Sequence, residues 1–279
     1  MRTSNPILTR LGAEAERERA AASYYYGQQQ GYGAPPGYGQ PTPYPVGYGA
    51  GAPPSVRPMT VDDVVVRTVG LLTLTAVAAG AVWALTPPET ALALMLPAAI
   101  VGLVLGLVIS FARVTNPVVL GLYAVVEGVF VGGFSLAVVN FTGAGPGIVM
   151  QAMVATLGVF LTMGFLYKSG KIRATPKFQK GLVGAMFGAM AVMLVNLVIT
   201  LFTGEPTILR DGGPISIIVS LVFIVIAALS FVLSFHEVEE GVRLGLPHKY
   251  AWTCAFGILV SVVWLYLEIL RLLSYFSGE

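Results

Sequence analysis

The sequence predicts an all-α integral membrane protein, a bundle of seven transmembrane helices preceded by a disordered N-terminal tail. Of its 279 residues, 56% are apolar and only 11% are charged, whereas a soluble domain carries about a quarter charged residues. Most of the apolar residues fall in seven runs of about twenty residues, the length that crosses a bilayer as a helix. Lipid must therefore surround most of the chain, and this composition excludes a soluble enzyme.

Residues 1–60 form the N-terminal tail. It opens with a charged stretch, Arg2 to Ala22, that could be an amphipathic helix, and then consists of Tyr, Gly, Pro and Gln without a charge as far as Arg57. Such a composition buries too little apolar area to offset the entropy lost on ordering. We expect residues 1–60 to be a disordered cytoplasmic tail and residues 61–279 to be the transmembrane domain.

The seven apolar runs are joined by short connections with turn-forming sequences. Because backbone groups in lipid must form hydrogen bonds within their own segment, each run is predicted to be a helix rather than a strand. The predicted helices are, in order, Thr68–Thr86, Ala91–Ala112, Pro117–Asn140, Gly147–Leu166, Gly181–Thr203, Ile215–Phe235 and Tyr250–Phe276.

Pairs of glycines four residues apart occur in three of these helices. The spacing places both glycines on one helix face, where the backbones of two helices can approach closely. We expect packing within the bundle at all three pairs, and dimerisation through one of them is the alternative. The pairs are Gly102 with Gly106, Gly128 with Gly132, and Gly184 with Gly188.

Basic residues indicate how the helices are oriented. Lys and Arg collect in the cytoplasmic loops of membrane proteins, and nearly all of those that flank the predicted helices fall on one side, with only Arg210 in the opposite loops. We therefore expect a multi-pass protein of the plasma membrane with a cytoplasmic N-terminus and an extracytoplasmic C-terminus. One cytoplasmic loop holds five basic residues, which could also bind anionic lipid headgroups: Lys168, Lys171, Arg173, Lys177 and Lys180.

Glu127 is the most conspicuous ionisable residue at membrane depth. It lies about 16 Å along the third helix from Pro117, in an otherwise apolar stretch, and Tyr123 is one turn earlier on the same face. Because such residues are costly in lipid, each is a candidate functional site. Glu127 could exchange a proton or meet a cation, and the equally strong alternative is a hydrogen-bonded carboxyl that ties helices together.

Further ionisable residues lie in the last two helices. Glu268 and Arg271 are three apart on one face of the seventh helix, so they can pair, either as a structural ion pair or as part of an ion path. His236 closes the sixth helix, and imidazole changes charge near neutral pH, so it could report acidification or be a polar terminus. The candidates for an ion pathway or gate are Glu127, Ser234, His236, Glu239, Glu268 and Arg271.

The sequence contains none of the familiar catalytic arrangements. There is no H-E-x-x-H, no G-x-S-x-G and no paired histidine for a metal, and Cys254 is the only cysteine. Ser234 and His236 are two residues apart, so they point to different helix faces and do not form a nucleophile–base pair. We expect no enzymatic activity, no catalytic residue, and no cofactor or metal site. The net charge of +2 gives no reason to expect a nucleic-acid partner.

Three motifs carry a resemblance to a known family: YAVVEG in the third helix, FVLSFHEVEEG at the end of the sixth and WLYLEILRLL in the seventh. With seven helices and these motifs, the chain resembles the Bax inhibitor-1 family, in particular its bacterial YccA-like branch. The opening MRTSNPILTR looks like the start of actinobacterial members. The resemblance covers residues 57 to 279 and the first ten, while the rest of the tail lies outside it.

The resemblance implies six helices around a central, C-terminal seventh helix. It also implies a pH-sensitive calcium leak that a pair of aspartates closes, one at the end of the sixth helix and one on the seventh. On this chain the second position falls on Glu268 and the first on Ser234, with His236 at a neighbouring position where relatives also carry aspartate. Serine cannot share a proton with Glu268 as a second acid would.

The functional prediction is a pH-modulated passive cation leak, with calcium as the cation, or an ion-homeostasis factor. The alternative is a non-conducting membrane stress regulator that binds a membrane quality-control protease or another membrane partner. The altered aspartate position and the long tail favour the alternative.

Overall fold

The computed structural model describes Arg17, Ala20 and residues 57–204, 207, 209 and 211–277, and this part of the chain folds into seven long α-helices. Each of these helices is long and apolar enough to span a membrane. In order they are α1 (Val61–Leu85), α2 (Pro88–Ala112), α3 (Pro117–Thr142), α4 (Gly147–Lys168), α5 (Pro176–Thr203), α6 (Pro214–Arg243) and α7 (Ala251–Ser277). A 3-10 turn, His248–Tyr250, precedes α7.

Local sequence explains where the helices begin. The helices α2, α3, α5 and α6 each start at a proline, whose fixed φ suits the first turn and whose missing N–H would have no partner there. Helix α1 starts at a capping box instead. The Thr60 hydroxyl accepts from the backbone of Asp63, and the Asp63 carboxylate accepts from the backbone of Thr60.

Three helices extend by more than a turn beyond their apolar runs. Helix α1 begins at Val61 rather than at Thr68, α5 begins at Pro176 rather than at Gly181, and α6 continues to Arg243 rather than ending at Phe235. In all three places the extra turns contain charged residues, which lower the hydropathy without opposing helix formation. The expected N-terminal boundary of the membrane domain coincides with the start of α1. The tail lies outside the described residues, apart from Arg17 and Ala20, which are helical.

Helix α7 occupies the centre of the bundle. It packs directly on α1, α3, α4 and α6, and its apolar window is the most buried of the seven. Helix α2 packs mainly on α3, and α5 packs on α6. The predicted arrangement around a central C-terminal helix is therefore confirmed, with α2 and α5 at the outside.

The three glycine pairs have different surroundings. A Cβ atom at Gly128 would lie 2.5 Å from the backbone oxygen of Thr75, and one at Gly132 would lie 2.7 Å from that of Ala79, so α1 and α3 are in close contact. Gly102 and Gly106 face side chains of α3. At the pair Gly184 and Gly188 the Cβ positions meet open space. The expectation of internal packing is correct for two pairs and wrong for the third, because α5 turns this face away from the bundle.

A polar seam between α6 and α7 as the candidate functional site

Polar and small residues, together with one large aromatic residue on each helix, form matching stripes along α6 and α7. In each stripe successive members are three or four residues apart, the spacing that keeps side chains on one helix face. We refer to the contact between these stripes as the seam. Its α6 side consists of Ser216, Ser220, Phe223, Ala227, Ser230, Ser234, Glu237 and Gly241. Its α7 side consists of Cys254, Gly257, Ser261, Trp264, Glu268 and Arg271.

Several contacts show that the two stripes face each other. The hydroxyl of Ser230 donates to that of Ser261 at 3.0 Å. One turn away, the Ser234 hydroxyl lies 4.0 Å from the position that a Cβ atom at Gly257 would take. Ser230, Ser234 and Ser261 are all at most 8% exposed. The middle of the seam is therefore a buried line of hydroxyl groups between the two helices.

An ion pair lies in the half of the seam that is far from the α6–α7 loop. The Arg271 Nη1 donates to both carboxylate oxygens of Glu268, at 2.8 and 2.7 Å. Glu268 has no exposed surface, and the side chain of Arg271 is 13% exposed. The predicted pairing of these two residues is confirmed. Because the pair is buried, the charge of each residue depends on the other for its stability.

Arg271 also borders a cleft at this far end of the seam. The cleft is a shallow, open depression between α5, α6 and α7, with room for about one water molecule. Its polar lining consists of Arg271, Ser220 of α6 and Asn196 of α5, and the Asn196 amide donates to the Thr207 hydroxyl. The arginine thus connects the buried carboxylate of Glu268 to a space that reaches the surface.

Asp211 caps the start of α6 next to this cleft. Its Oδ1 accepts from the backbone N–H of Gly213 at 2.8 Å and from the hydroxyl of Ser216 at 2.7 Å. These hydrogen bonds, that of Gly213 first, hold the pKa of Asp211 below its ordinary value. A charged carboxylate therefore stands at the N-terminus of α6, where it also interacts favourably with the helix dipole.

Glu237 contributes a second carboxylate to the seam, near the loop that joins α6 to α7. It is half-buried, and it interacts electrostatically with Cys254 of α7. Glu237 and Glu268 lie on either side of the Ser230–Ser261 hydrogen bond, each seven residues, or about 10 Å, from the serine on its own helix. The seam thus holds one acid in each half and hydroxyl groups between them.

His236 and Glu239 lie outside the seam and face α4. The hydroxyl of Tyr167 donates to Glu239 in a short hydrogen bond and lies 3.5 Å from Nδ1 of His236. Glu240, one turn after His236, pairs with Arg243 instead. This second polar cluster links α4 to α6 near the loop end of the seam.

Glu127 forms a separate site between α2 and α3. Its Oε2 lies 3.0 Å from the position that a Cβ atom at Gly102 would take, so the glycine leaves room for the carboxyl group. As predicted, Tyr123 interacts with Glu127, and the Tyr123 ring packs edge-on against Phe256 of α7 at 4.9 Å. Glu127 therefore lies in the contact between α2 and α3, and α3 packs on α7 through Tyr123 and Phe256. Glu127 is not part of the seam.

The structure does not bring the resemblance-implied pair of positions together. Ser234 lies opposite Gly257, which is eleven residues, or about 16 Å, before Glu268 on α7. His236 points toward α4, consistent with the expectation that it and Ser234 occupy different helix faces. A direct Ser234–Glu268 or His236–Glu268 contact is therefore absent, and Arg271 is the ion-pair partner of Glu268.

Sequence reasoning missed Glu237 and the serines of α7 and α6 that complete the seam. Glu237 is absent from the predicted candidates, because the apolar run that predicts the sixth helix ends at Phe235. The missing signal was the spacing of four and then three residues from Ser230 through Ser234 to Glu237. That spacing continues through the supposed helix end and predicts one polar face.

The seam offers oxygen ligands of the kind that hard cations prefer. Carboxylate and hydroxyl oxygens suit Ca²⁺ and other hydrated cations. In the part of the chain that the structure describes, no three His, Cys, Asp or Glu side chains are grouped so as to hold a metal ion.

Comparison with known families agrees with this architecture. The Bax inhibitor 1 like family matches residues 5–278, nearly the whole chain. The chain belongs to the Bax inhibitor 1 like family. The match begins at residue 5 and runs across the tail, most of which we expected to lie outside the resemblance. No curated protein matches the sequence. For this family member, the seven helices support assignment as a multi-pass membrane protein.

Proposed function

We propose that this protein is a pH-modulated passive cation leak, with calcium as the cation, and that the seam is its path. The observation that carries the proposal is the buried Glu268–Arg271 pair at the head of a line of hydroxyl groups that leads to Glu237. A charged pair at this depth is costly. It is expected where a function needs a carboxylate inside the bundle.

The closed state is held by pairing, and protonation changes that pairing. While Glu268 is charged, Arg271 neutralises it and fills the narrow part of the seam. When Glu268 is protonated the pair loses its attraction, and Arg271 can move out of the seam toward solvent. A cation that enters the space left by Arg271 then meets the oxygens of the seam.

The experiment is calcium flux into liposomes that contain the purified protein, measured at several pH values. We expect Glu268→Gln and Glu237→Gln to change the flux and its pH dependence. Glu89→Gln is the matched control, because Glu89 is an exposed carboxylate at the start of α2. Wild-type flux at every pH in both seam variants would remove the seam as the path.

A further variant, Glu127→Gln, tests the site between α2 and α3. If Glu127 ties these helices together, the variant is less stable but conducts as the wild type does. If flux is lost in Glu127→Gln and retained in both seam variants, the path lies beside α3 instead.

The second candidate is a non-conducting stress regulator that binds another membrane protein, such as a quality-control protease. It is favoured by Ser234, which replaces a titratable acid, and by the long tail. Capture of a membrane protease by the full chain but not by a chain lacking residues 1–56, together with absence of flux, would support it. A leak should not need the tail.

We further propose a plasma-membrane location with the loop between α4 and α5 in the cytoplasm. Five basic residues on or beside this loop are all exposed, and clustered basic residues attract anionic headgroups. Replacing Lys171, Arg173 and Lys177 by glutamine should lower the amount of phosphatidylglycerol, but not of phosphatidylcholine, that copurifies with the protein in detergent. Unchanged retention of phosphatidylglycerol in this variant would contradict this role. These residues are Lys168, Lys171, Arg173, Lys177 and Lys180.

A further inference from the structure

Residues 57–60, here called the strap, cross the loop that joins α6 to α7 just before α1 begins. The strap forms an isolated antiparallel bridge with that loop. The backbone N–H of Met59 donates to the carbonyl of Leu246 at 2.7 Å, and that of His248 donates to the carbonyl of Arg57 at 2.9 Å. The strap is thereby fixed over the loop end of the seam.

Met59 is the buried part of the strap. Its residue surface is 2% exposed, and it packs in one apolar cluster with Val238 and Tyr250. A Cβ atom at Gly241 would lie 2.6 Å from Cε of Met59, so a side chain there would displace the methionine. Cys254, a member of the seam, packs against the same cluster. Met59 therefore covers the end of the seam at which Cys254 and Glu237 lie.

The remaining contacts of the strap and its neighbours are near the surface. Arg57, whose side chain is 65% exposed, pairs with Asp63 at 2.8 Å. Arg67 of α1 donates to the carbonyl of His248 at 3.0 Å and lies over the ring of Trp252 at 5.3 Å. The two contacts of Arg67 hold α1 to the loop and do not involve the strap. The strap can therefore leave its place while α1 stays in the bundle.

We propose that the strap is a releasable lid on the loop end of the seam, and that Met59 is its plug. With Met59 seated, Cys254 and Glu237 are only partly exposed, and the access of water to them is restricted. With Met59 displaced, water enters the seam from this end. Because the strap continues into the N-terminal tail, a force on the tail acts directly on the plug. The claim that release of the strap admits ions rests on the proposed function. The claim that water enters does not.

The native cysteine reports on the lid, because the sequence contains no other thiol. The protein is placed in lipid nanodiscs, and the labelling rate of Cys254 by a charged methanethiosulfonate reagent is measured. Two variants disturb the plug in different ways. Met59→Ser removes its apolar side chain, and Gly241→Ala adds a methyl group that would overlap with Cε of Met59. Met150→Ser is the control, since Met150 is an exposed methionine on α4, far from the strap.

We expect Cys254 to be labelled several-fold faster in Met59→Ser and Gly241→Ala than in the wild type and Met150→Ser. Equal rates in all four folded proteins would overturn the lid. If one displacing variant fails to fold, the other decides. Calcium flux in the same proteins separates the two proposals: faster labelling with no flux in any of them supports the lid and removes the leak.

Discussion

At Glu268, a carboxylate without exposed surface depends on one guanidinium three residues further along the same helix. The dependence is unequal, because the side chain of Arg271 is partly exposed and borders the cleft, whereas Glu268 is fully buried. Loss of the arginine leaves a buried charge without a partner, and such a loss costs about 3–5 kcal/mol. Loss of the acid leaves a cation that can be rehydrated.

The variant Arg271→Met should therefore destabilise the protein more than Glu268→Gln. We expect Arg271→Met to lower the free energy of unfolding by about 3 kcal/mol, and the double variant to recover most of that loss. Unfolding in detergent micelles, followed by circular dichroism, measures all three. If the two single variants lose equal stability and their effects add, the pair is not coupled in the folded state.

The lowered pKa of Asp211 predicts how its contribution to the stability of the protein depends on pH. Its pKa is lowered from an ordinary value of 3.8 by the hydrogen bonds from Gly213 and Ser216. A lowered pKa in the folded state gives stability that is present above the ordinary value and is lost as the pH falls through the folded value. From about pH 8 to about pH 5 this contribution is constant.

Asp211→Ala should lower the unfolding temperature by the same amount at both ends of that pH range. The control is Ser110→Ala, since the hydroxyl of Ser110 is exposed and bonds only within its own helix turn, to the carbonyl of Gly106. A difference that shrinks on mild acidification would mean that Asp211 titrates well above its ordinary range. Changes in flux over these pH values would then not be specific to the seam.

At the scale of elements, the contact between α1 and α3 is the closest helix approach that the glycines make possible. Gly128 and Gly132 lie so close to backbone atoms of α1 that a side chain at either position would overlap with them. The glycines of α5 occupy the same sequence pattern and face open space. Glycines four residues apart therefore occur both in a close helix contact and on a helix face that meets open space.

These pairs supply their own matched controls. Gly128→Ala and Gly132→Ala should each lower the free energy of unfolding by about 1–3 kcal/mol, because the added methyl group forces the helices apart. Gly184→Ala and Gly188→Ala should leave it unchanged or raise it slightly, by up to about 1 kcal/mol, since alanine favours the helix. Equal losses at both pairs, measured by unfolding in detergent, would show that α5 also packs through its glycines.

The elements were predictable from sequence to the extent that hydropathy decides them. Seven spans follow from apolar runs, but the turns beyond Phe235 do not, because charged helical turns at a membrane surface resemble loops in hydropathy. The Glu268–Arg271 pair was predictable because both residues lie on one helix. The neighbours of Glu127 and Ser234 are glycines on other helices, and a missing side chain leaves no signal of contact.

For the whole molecule, the distribution of basic residues makes a testable statement about topology. An odd number of crossings would place the two ends of the described chain on opposite sides of the membrane, and the seven apolar helices predict this arrangement. In a Cys254→Ser background, a single cysteine is introduced either between α3 and α4, as Gly145→Cys, or between α4 and α5, as Ser169→Cys. An impermeant maleimide added to intact cells should label the first and not the second. The reverse pattern would invert the proposed orientation.

The position of α7 has a consequence for biosynthesis. The ribosome makes the central helix last, yet α1, α3, α4 and α6 all need it as their neighbour. Early helices can settle against one another through α1–α3 and α2–α3 contacts, but the serines of α6 remain exposed to acyl chains until residue 277 has been translated. Every chain therefore passes through a stage in which the face of α6 that contacts α7 in the finished bundle has no partner.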